Sequence, residues 1–182
     1  MKAIETTLKG CFVLVPTVIP DGRGYFMESF NKRKFAEAVG HEVDFVQDNQ
    51  SFSTRGVIRG LHYQRGEHAQ AKLVRVLQGE VLDVAVDLRP NSPTYGKVET
   101  VLLSAENQKQ FFVPRGFAHG FVVLSETAVF FYKCDNYYNK ASEGGIFFND
   151  PDLAIDWKIS HAELIISEKD QNLPPLKDAL PV

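Results

Sequence analysis

The spacing of its breakers constrains this chain most. From Cys11 to Cys134, short apolar or alternating runs are punctuated by Gly, Pro, Asn and Asp, about every 8–12 residues, as in an all-β sandwich or barrel. The runs are Cys11–Val15, Gly24–Phe30, Val43–Phe52, Val57–Gln64, Lys72–Leu77, Val81–Leu88, Val98–Leu103, Lys109–Val113, His119–Leu124 and Ala128–Cys134, with Gly79-Glu80 joining two of them tightly. Leu82, Val84, Val86 and Leu88 alternate with Asp83 and Asp87. That period of two places one face of the strand in a core and the other toward polar surroundings.

One early helix interrupts the pattern, over Asn31–Val39, with Asn31 as N-cap, Phe35, Ala36 and Val39 on one face and Gly40 as terminator. It is short and is expected to lie beside the sheets. After Asn136 the texture becomes turn-rich, with Asp150-Pro151, a lone Trp157 and a short helix expected near His161–Ile166. A chain of 182 residues is long enough to bury a core as one domain, so residues 1–182 are expected to form a single domain, of which about 137–182 is an appendage.

A net charge of -3 with both signs interspersed leaves no basic stripe for nucleic acid or an anionic membrane. Met1–Lys9 lacks the apolar stretch of a signal peptide, and nowhere do eighteen apolar residues run together, so a cytoplasmic protein is expected. Cys11 and Cys134 have no ligand-like spacing and fit buried free thiols in a reducing compartment.

Three constellations could carry chemistry. In Arg59-Gly60-Leu61-His62-Tyr63-Gln64, an arginine and a histidine flank a glycine inside a strand-like segment, suggesting a bulge or close approach by a ligand. Strict alternation would put Arg59 and His62 on opposite faces, so for both to reach one pocket the strand must be bulged or Arg59 must bend around its edge. In Pro114-Arg115-Gly116-Phe117-Ala118-His119-Gly120-Phe121, two glycines bracket a histidine. A cupin-type metal site would need an HxH pair, which is missing after His62 and argues against a metal. The third, Phe130-Phe131-Tyr132-Lys133 followed by Tyr137-Tyr138, offers Tyr132 as a proton donor only if it faces the same cavity as His62.

Other residues carry a functional reading beside a bland one. Gln47, Asn49 and Ser51 share a strand face, as do Arg23 and Tyr25, which suits phosphate or sugar hydroxyls but equally a solvated surface. Lys72 would stabilise an enolate oxygen only if it points inward. Asp170, in Ser167-Glu168-Lys169-Asp170, would serve to hold a histidine in one tautomer, or else lie exposed in a loop.

In this order and spacing, RGLHYQ, PRGFAHGF, FFYKCDNYY, SEGG and SEKDQNLP, together with DGRGYF, Glu28 and FVQDN, closely resemble the dTDP-4-dehydrorhamnose 3,5-epimerase family over nearly the whole chain. The resemblance implies a cupin-like jelly roll with a few peripheral helices, forming a homodimer with exchanged N-terminal strands. It implies epimerisation of dTDP-4-dehydro-6-deoxyglucose at carbons 3 and 5, without metal or redox cofactor. Carried over by position, the base falls on His62, its carboxylate partner on Asp170, the acid on Tyr132 and the enolate-stabilising lysine on Lys72. Tyr138 falls on the thymine-stacking position. Arg23, Phe26, Glu28, Gln47, Asp48, Asn49, Arg59, His119, Glu143 and Lys169 fall on positions contacting substrate. Phe148 departs from the tryptophan frequent there in the family. The rival readings are an epimerase of one carbon or of another 4-keto sugar, a metal-dependent cupin, and a non-catalytic sugar-binding jelly roll. The last has no use for an acid and a base facing one pocket.

Overall fold

Alternation gives each run two faces, and the protein uses both. The computed structural model describes residues 1–182. Its strands are β1 (Lys2–Glu5), β2 (Phe12–Val15), β3 (Val18–Asp21), β4 (Gly24–Met27), β5 (Gln47–Thr54), β6 (Ile58–Gln64), β7 (Lys72–Gln78), β8 (Glu80–Asp87), β9 (Val98–Ser104), β10 (Gln110–Val113), β11 (Phe117–Val123), β12 (Thr127–Cys134) and β13 (Glu143–Gly145). Two short helices are α1 (Lys32–Val39) and α2 (Glu168–Gln171). A six-stranded sheet, ordered β1-β2-β10-β7-β12-β5, faces a five-stranded sheet, ordered β13-β6-β11-β8-β9, while β3 and β4 form a separate hairpin. All these pairings are antiparallel. The architecture is the cupin-like jelly roll expected from the sequence.

Between the sheets lie Val74, Val76, Phe111 and Phe130 from one side and Val81, Ala85, Phe121 and Val123 from the other. The outer face of the six-stranded sheet presents Leu14, Leu73 and Phe112 to Phe35 and Val39 of α1. This helix begins and ends as expected: Asn31 accepts a hydrogen bond from the Lys34 amide, and Gly40 closes it in the left-handed conformation. The outer face of the five-stranded sheet, with Leu82, Val84 and Val86, is covered by Ile146, Phe148, Leu153 and Trp157 of the C-terminal stretch. The Trp157 indole N–H donates to the Phe148 carbonyl at 3.1 Å.

That cover corrects the expectation for β8. Asp83 and Asp87 are both completely buried, because β8 lies between β11 and β9 and both sides of its sheet are packed. Asp87 is fully satisfied, accepting from the Arg89 amide and guanidinium and from the Ser92 and Thr94 hydroxyls at 2.6–3.0 Å. Other differences are local. The run at Val43 becomes a strand only at Gln47, since Val43 packs in the α1 cluster. The run from Gly24 ends at Met27, and Phe30 instead packs against Phe35, tilted, and Phe45, edge-to-face. Near His161 there is a single 3-10 turn, His161–Glu163, and α2 forms further on.

Candidate active site

Inward-facing residues at one end of the barrel line two adjoining cavities of about 640 Å³ and about 310 Å³. His62, Lys72, Tyr132 and Asn49 line both. The register explains how they meet. On the six-stranded sheet, Asn49, Tyr132 and Val74 lie abreast on neighbouring strands, and Gln47, Cys134 and Lys72 lie abreast one step along. All six therefore face inward. From the opposite sheet come His62 and Arg59 of β6 and His119 and Phe121 of β11. Phe121 and Phe130 stack with centroids 4.1 Å apart and join the two sheets.

Arg59 and His62 reach the same cavity because β6 is bulged. His62 pairs with His119, and Arg59 pairs with Phe121, so three steps on β6 match two on β11. The extra residue turns both side chains inward. Glycine is needed at the bulge: Gly60 has φ +134°, and a Cβ there would stand 2.6 Å from the Gly120 Cα. The Arg59 guanidinium donates to the Ser53 hydroxyl at 3.1 Å.

Asp170 ties this strand to α2. Its carboxylate accepts from His62 Nε2 at 2.7 Å and from the Gly60 amide at 3.4 Å. The Ser167 hydroxyl caps α2 by accepting from the Asp170 amide at 3.1 Å. Burial pushes the Asp170 carboxyl upward, but its hydrogen-bonded pairing with His62, the Gly60 amide and the nearby Lys169 ammonium outweigh it, so the group sits below the ordinary carboxylate range. An Nε2–H bonded to an anionic carboxylate leaves Nδ1 of His62 as the ring's free lone pair. The segment leading to α2 runs along the start of β6, with Ile165 bridging Val57, and puts Ile165, Ile166 and Ser167 on the cavity wall.

Burial drives the Tyr132 phenol above its usual value, Cys134 adding to this and Arg59 opposing it. Burial lowers Lys72, whose ammonium stands 5.8 Å from the Tyr132 ring centroid. Its tetrahedral charge hydrogen-bonds to no protein group. Glu143 accepts from Lys169 at 2.6 Å and from the Tyr138 hydroxyl at 3.2 Å. Although burial raises the Glu143 carboxyl, Lys169 and the other donors bring it below the ordinary range. Gln47 and Asn49 are linked at 3.0 Å.

Of the residues singled out in the sequence, His62, Tyr132, Asp170, Lys72, Gln47, Asn49, Arg59, His119, Tyr138, Glu143 and Lys169 all line these cavities. Four do not. Asp48 faces outward, paired with Lys133 at 2.9 Å, because it alternates with Gln47 and Asn49. Arg23 pairs with Asp21 and Phe26 is 68% exposed, both on the β3–β4 hairpin, which pairs only with itself. Glu28 is held by Lys34 and Asn31. Phe148 lies outside the cavities, in the C-terminal cover. Sequence reasoning missed the Ile165–Ser167 wall, which a single bridge positions, and Asp83, which the alternation of β8 had placed toward polar surroundings. No three His, Cys, Asp or Glu side chains gather as a metal-binding group, and no helix is long and apolar enough to cross a membrane.

The jelly roll sets a carboxylate-held imidazole, a phenol and an unpaired ammonium around one cavity, the groups of a proton-transferring enzyme. A family profile described as dTDP-4-dehydrorhamnose 3,5-epimerase matches residues 5–178. The chain belongs to that family. A curated dTDP-4-dehydrorhamnose 3,5-epimerase of Methanothermobacter thermautotrophicus is 54% identical over 97% of this chain and 95% of its own length. The crystal structure of the Elizabethkingia anophelis epimerase superposes with a TM-score of 0.95 at 64% identity, covering 98% of this chain and 97% of that one. A Legionella pneumophila 3,5-epimerase solved in complex with dTDP-4-keto-L-rhamnose gives a TM-score of 0.93 at 47% identity, covering 97% of this chain and 93% of that one.

Proposed function

We propose that this chain converts dTDP-4-dehydro-6-deoxy-D-glucose into dTDP-4-dehydro-L-rhamnose in the cytoplasm, as a single domain, by removing and returning protons at carbons 3 and 5. The observation that carries the reading is that His62 and Tyr132 line one cavity from opposite sheets. Both carbons flank the 4-keto group, so loss of either proton gives an enolate on the same oxygen, and one oxyanion site serves both steps. His62 Nδ1 takes the proton, while Asp170 holds the ring and stabilises its charged form. Lys72 stabilises the enolate oxygen. Tyr132, kept protonated at neutral pH by burial, returns a proton from the opposite face. The ketone itself acidifies both positions, so the reading needs no redox cofactor.

Gln47, Asn49, Arg59, His119, Glu143 and Lys169 bind the sugar and diphosphate, and Tyr138, half-exposed at the smaller cavity, stacks on the thymine. Arg23, Phe26, Glu28 and Asp48 bind substrate in a homodimer whose N-terminal strands are exchanged. In support, the hairpin bearing Arg23 and Phe26 leaves Ile19 57% and Phe26 68% exposed, apolar surface that a second copy would cover.

The test is incubation with dTDP-4-dehydro-6-deoxyglucose in heavy water, with the product read by NMR. Deuterium at carbons 3 and 5 with both inverted is the expected outcome. Incorporation at one carbon would replace the reading with a mono-epimerase, and no exchange would sink it. The Tyr132→Phe variant should still exchange deuterium into substrate but invert it poorly.

A further inference from the structure

Asp83 is a buried carboxylate to which the mechanism above gives no role. It is fully buried on the inner face of β8, where an isolated carboxylate is costly. One oxygen accepts from His119 Nε2 at 2.8 Å, while the other, Oδ2, is buried with no hydrogen-bond partner. His119 stands between Asp83 and the cavity and is itself only 6% exposed. Lys72 lines the same cavity from the opposite sheet, and its ammonium also lacks a hydrogen-bonding partner among the protein groups.

We propose that Asp83 is a positioning residue for the epimerisation: from the floor of the barrel its carboxylate fixes the His119 ring and keeps the Lys72 ammonium charged. This rests on the enolate-stabilising role given to Lys72 above. The other ionisable groups around Lys72 are already committed. Glu143 of β13 is paired with Lys169, and Asp170 of α2 with His62 of β6. Tyr132 and Cys134 of β12 are held protonated by burial, Arg59 adds positive charge, and β5 contributes only neutral Gln47 and Asn49. Asp83 is the carboxylate with an oxygen to spare; burial raises its carboxyl, and His119 and Lys72 oppose that rise. Deep burial would otherwise favour the uncharged amine, which cannot offset an enolate.

Asp83→Asn keeps the shape and an acceptor for His119 but removes the charge. We expect the alkaline limb of its kcat profile, and the titration of the Lys72 side chain followed by ¹⁵N NMR in substrate-free protein, to move together to lower pH by about one unit or more. A uniform loss of rate with both midpoints unmoved would show a merely structural role and overturn the proposal. His119→Asn leaves the carboxylate in place and should not lower the Lys72 midpoint; an equal fall there would also overturn it. This second variant carries the test if Asp83→Asn does not fold. Because the NMR titration needs no turnover, its outcome is independent of whether the wild-type protein passes the heavy-water test.

Discussion

At the scale of single residues, the site depends on a glycine. Gly60 permits the bulge that turns Arg59 and His62 inward together, and the backbone of Gly120 passes too close for any side chain there. Gly60→Ala should therefore cost roughly 2–4 kcal/mol in denaturant unfolding, combining backbone strain with an overpacked crossing, and should reduce turnover even where the protein still folds. His62→Ala should leave the fold intact and lower kcat by about 10²–10⁴-fold, the usual contribution of a general base; turnover near that of the wild type would remove His62 from the mechanism. The need for a bulge was legible from a glycine between Arg59 and His62. Asp83 was not, because period-two reading assigns polarity to a face without revealing that both faces of β8 are covered.

At the scale of elements, legibility follows the length of the signal. The helix α1 announces itself through a cap at each end and an apolar stripe. In contrast, α2 is a four-residue helix, too short for periodicity, held by its Ser167 cap and by the Asp170–His62 contact it delivers. Ser167→Ala should cost about 0.5–2 kcal/mol of local stability. Amide exchange should rise over α2, and kcat should fall more than KM rises, because the carboxylate is loosened while the substrate contacts remain. A wild-type exchange pattern with unchanged kcat would show that the cap does not position Asp170. The strands β1, β3 and β13 went unread because β1 lies before the punctuated stretch that begins at Cys11, while β3 carries Pro20 and β13 is Glu143-Gly144-Gly145, residue types that read as breakers.

At the scale of the whole molecule, six carboxyls are depressed in the folded state; Asp21, Glu28 and Asp156 are solvent-screened surface groups, and the other three carry the pH dependence. Asp87 lies far below the ordinary carboxylate range: burial raises it, and the bonds from Arg89, Ser92 and Thr94 more than reverse this. Asp170 and Glu143 are lowered as well. A depressed folded value means stability that is fully present above the unfolded value, near pH ~4, and is lost as pH falls toward the folded one. The thermal midpoint should be level above about pH 5 and fall steadily below about pH 4. Asp87→Asn should lower the plateau, by on the order of a few kcal/mol for a buried network, and make the acid fall shallower. An unchanged acid slope would mean that Asp87 is not a principal source of it.

The sequence by itself determined the all-β class, the α1 helix, the family and eleven of the residues around the cavities, because alternation, caps and motifs are local and survive without a fold. Only the tertiary structure decided that both sides of β8 are dry and that the Ile165–Ser167 segment walls the cavity. Each of these depends on sheets and segments distant along the chain packing against one another, and no local pattern encodes which distant surface covers a given face.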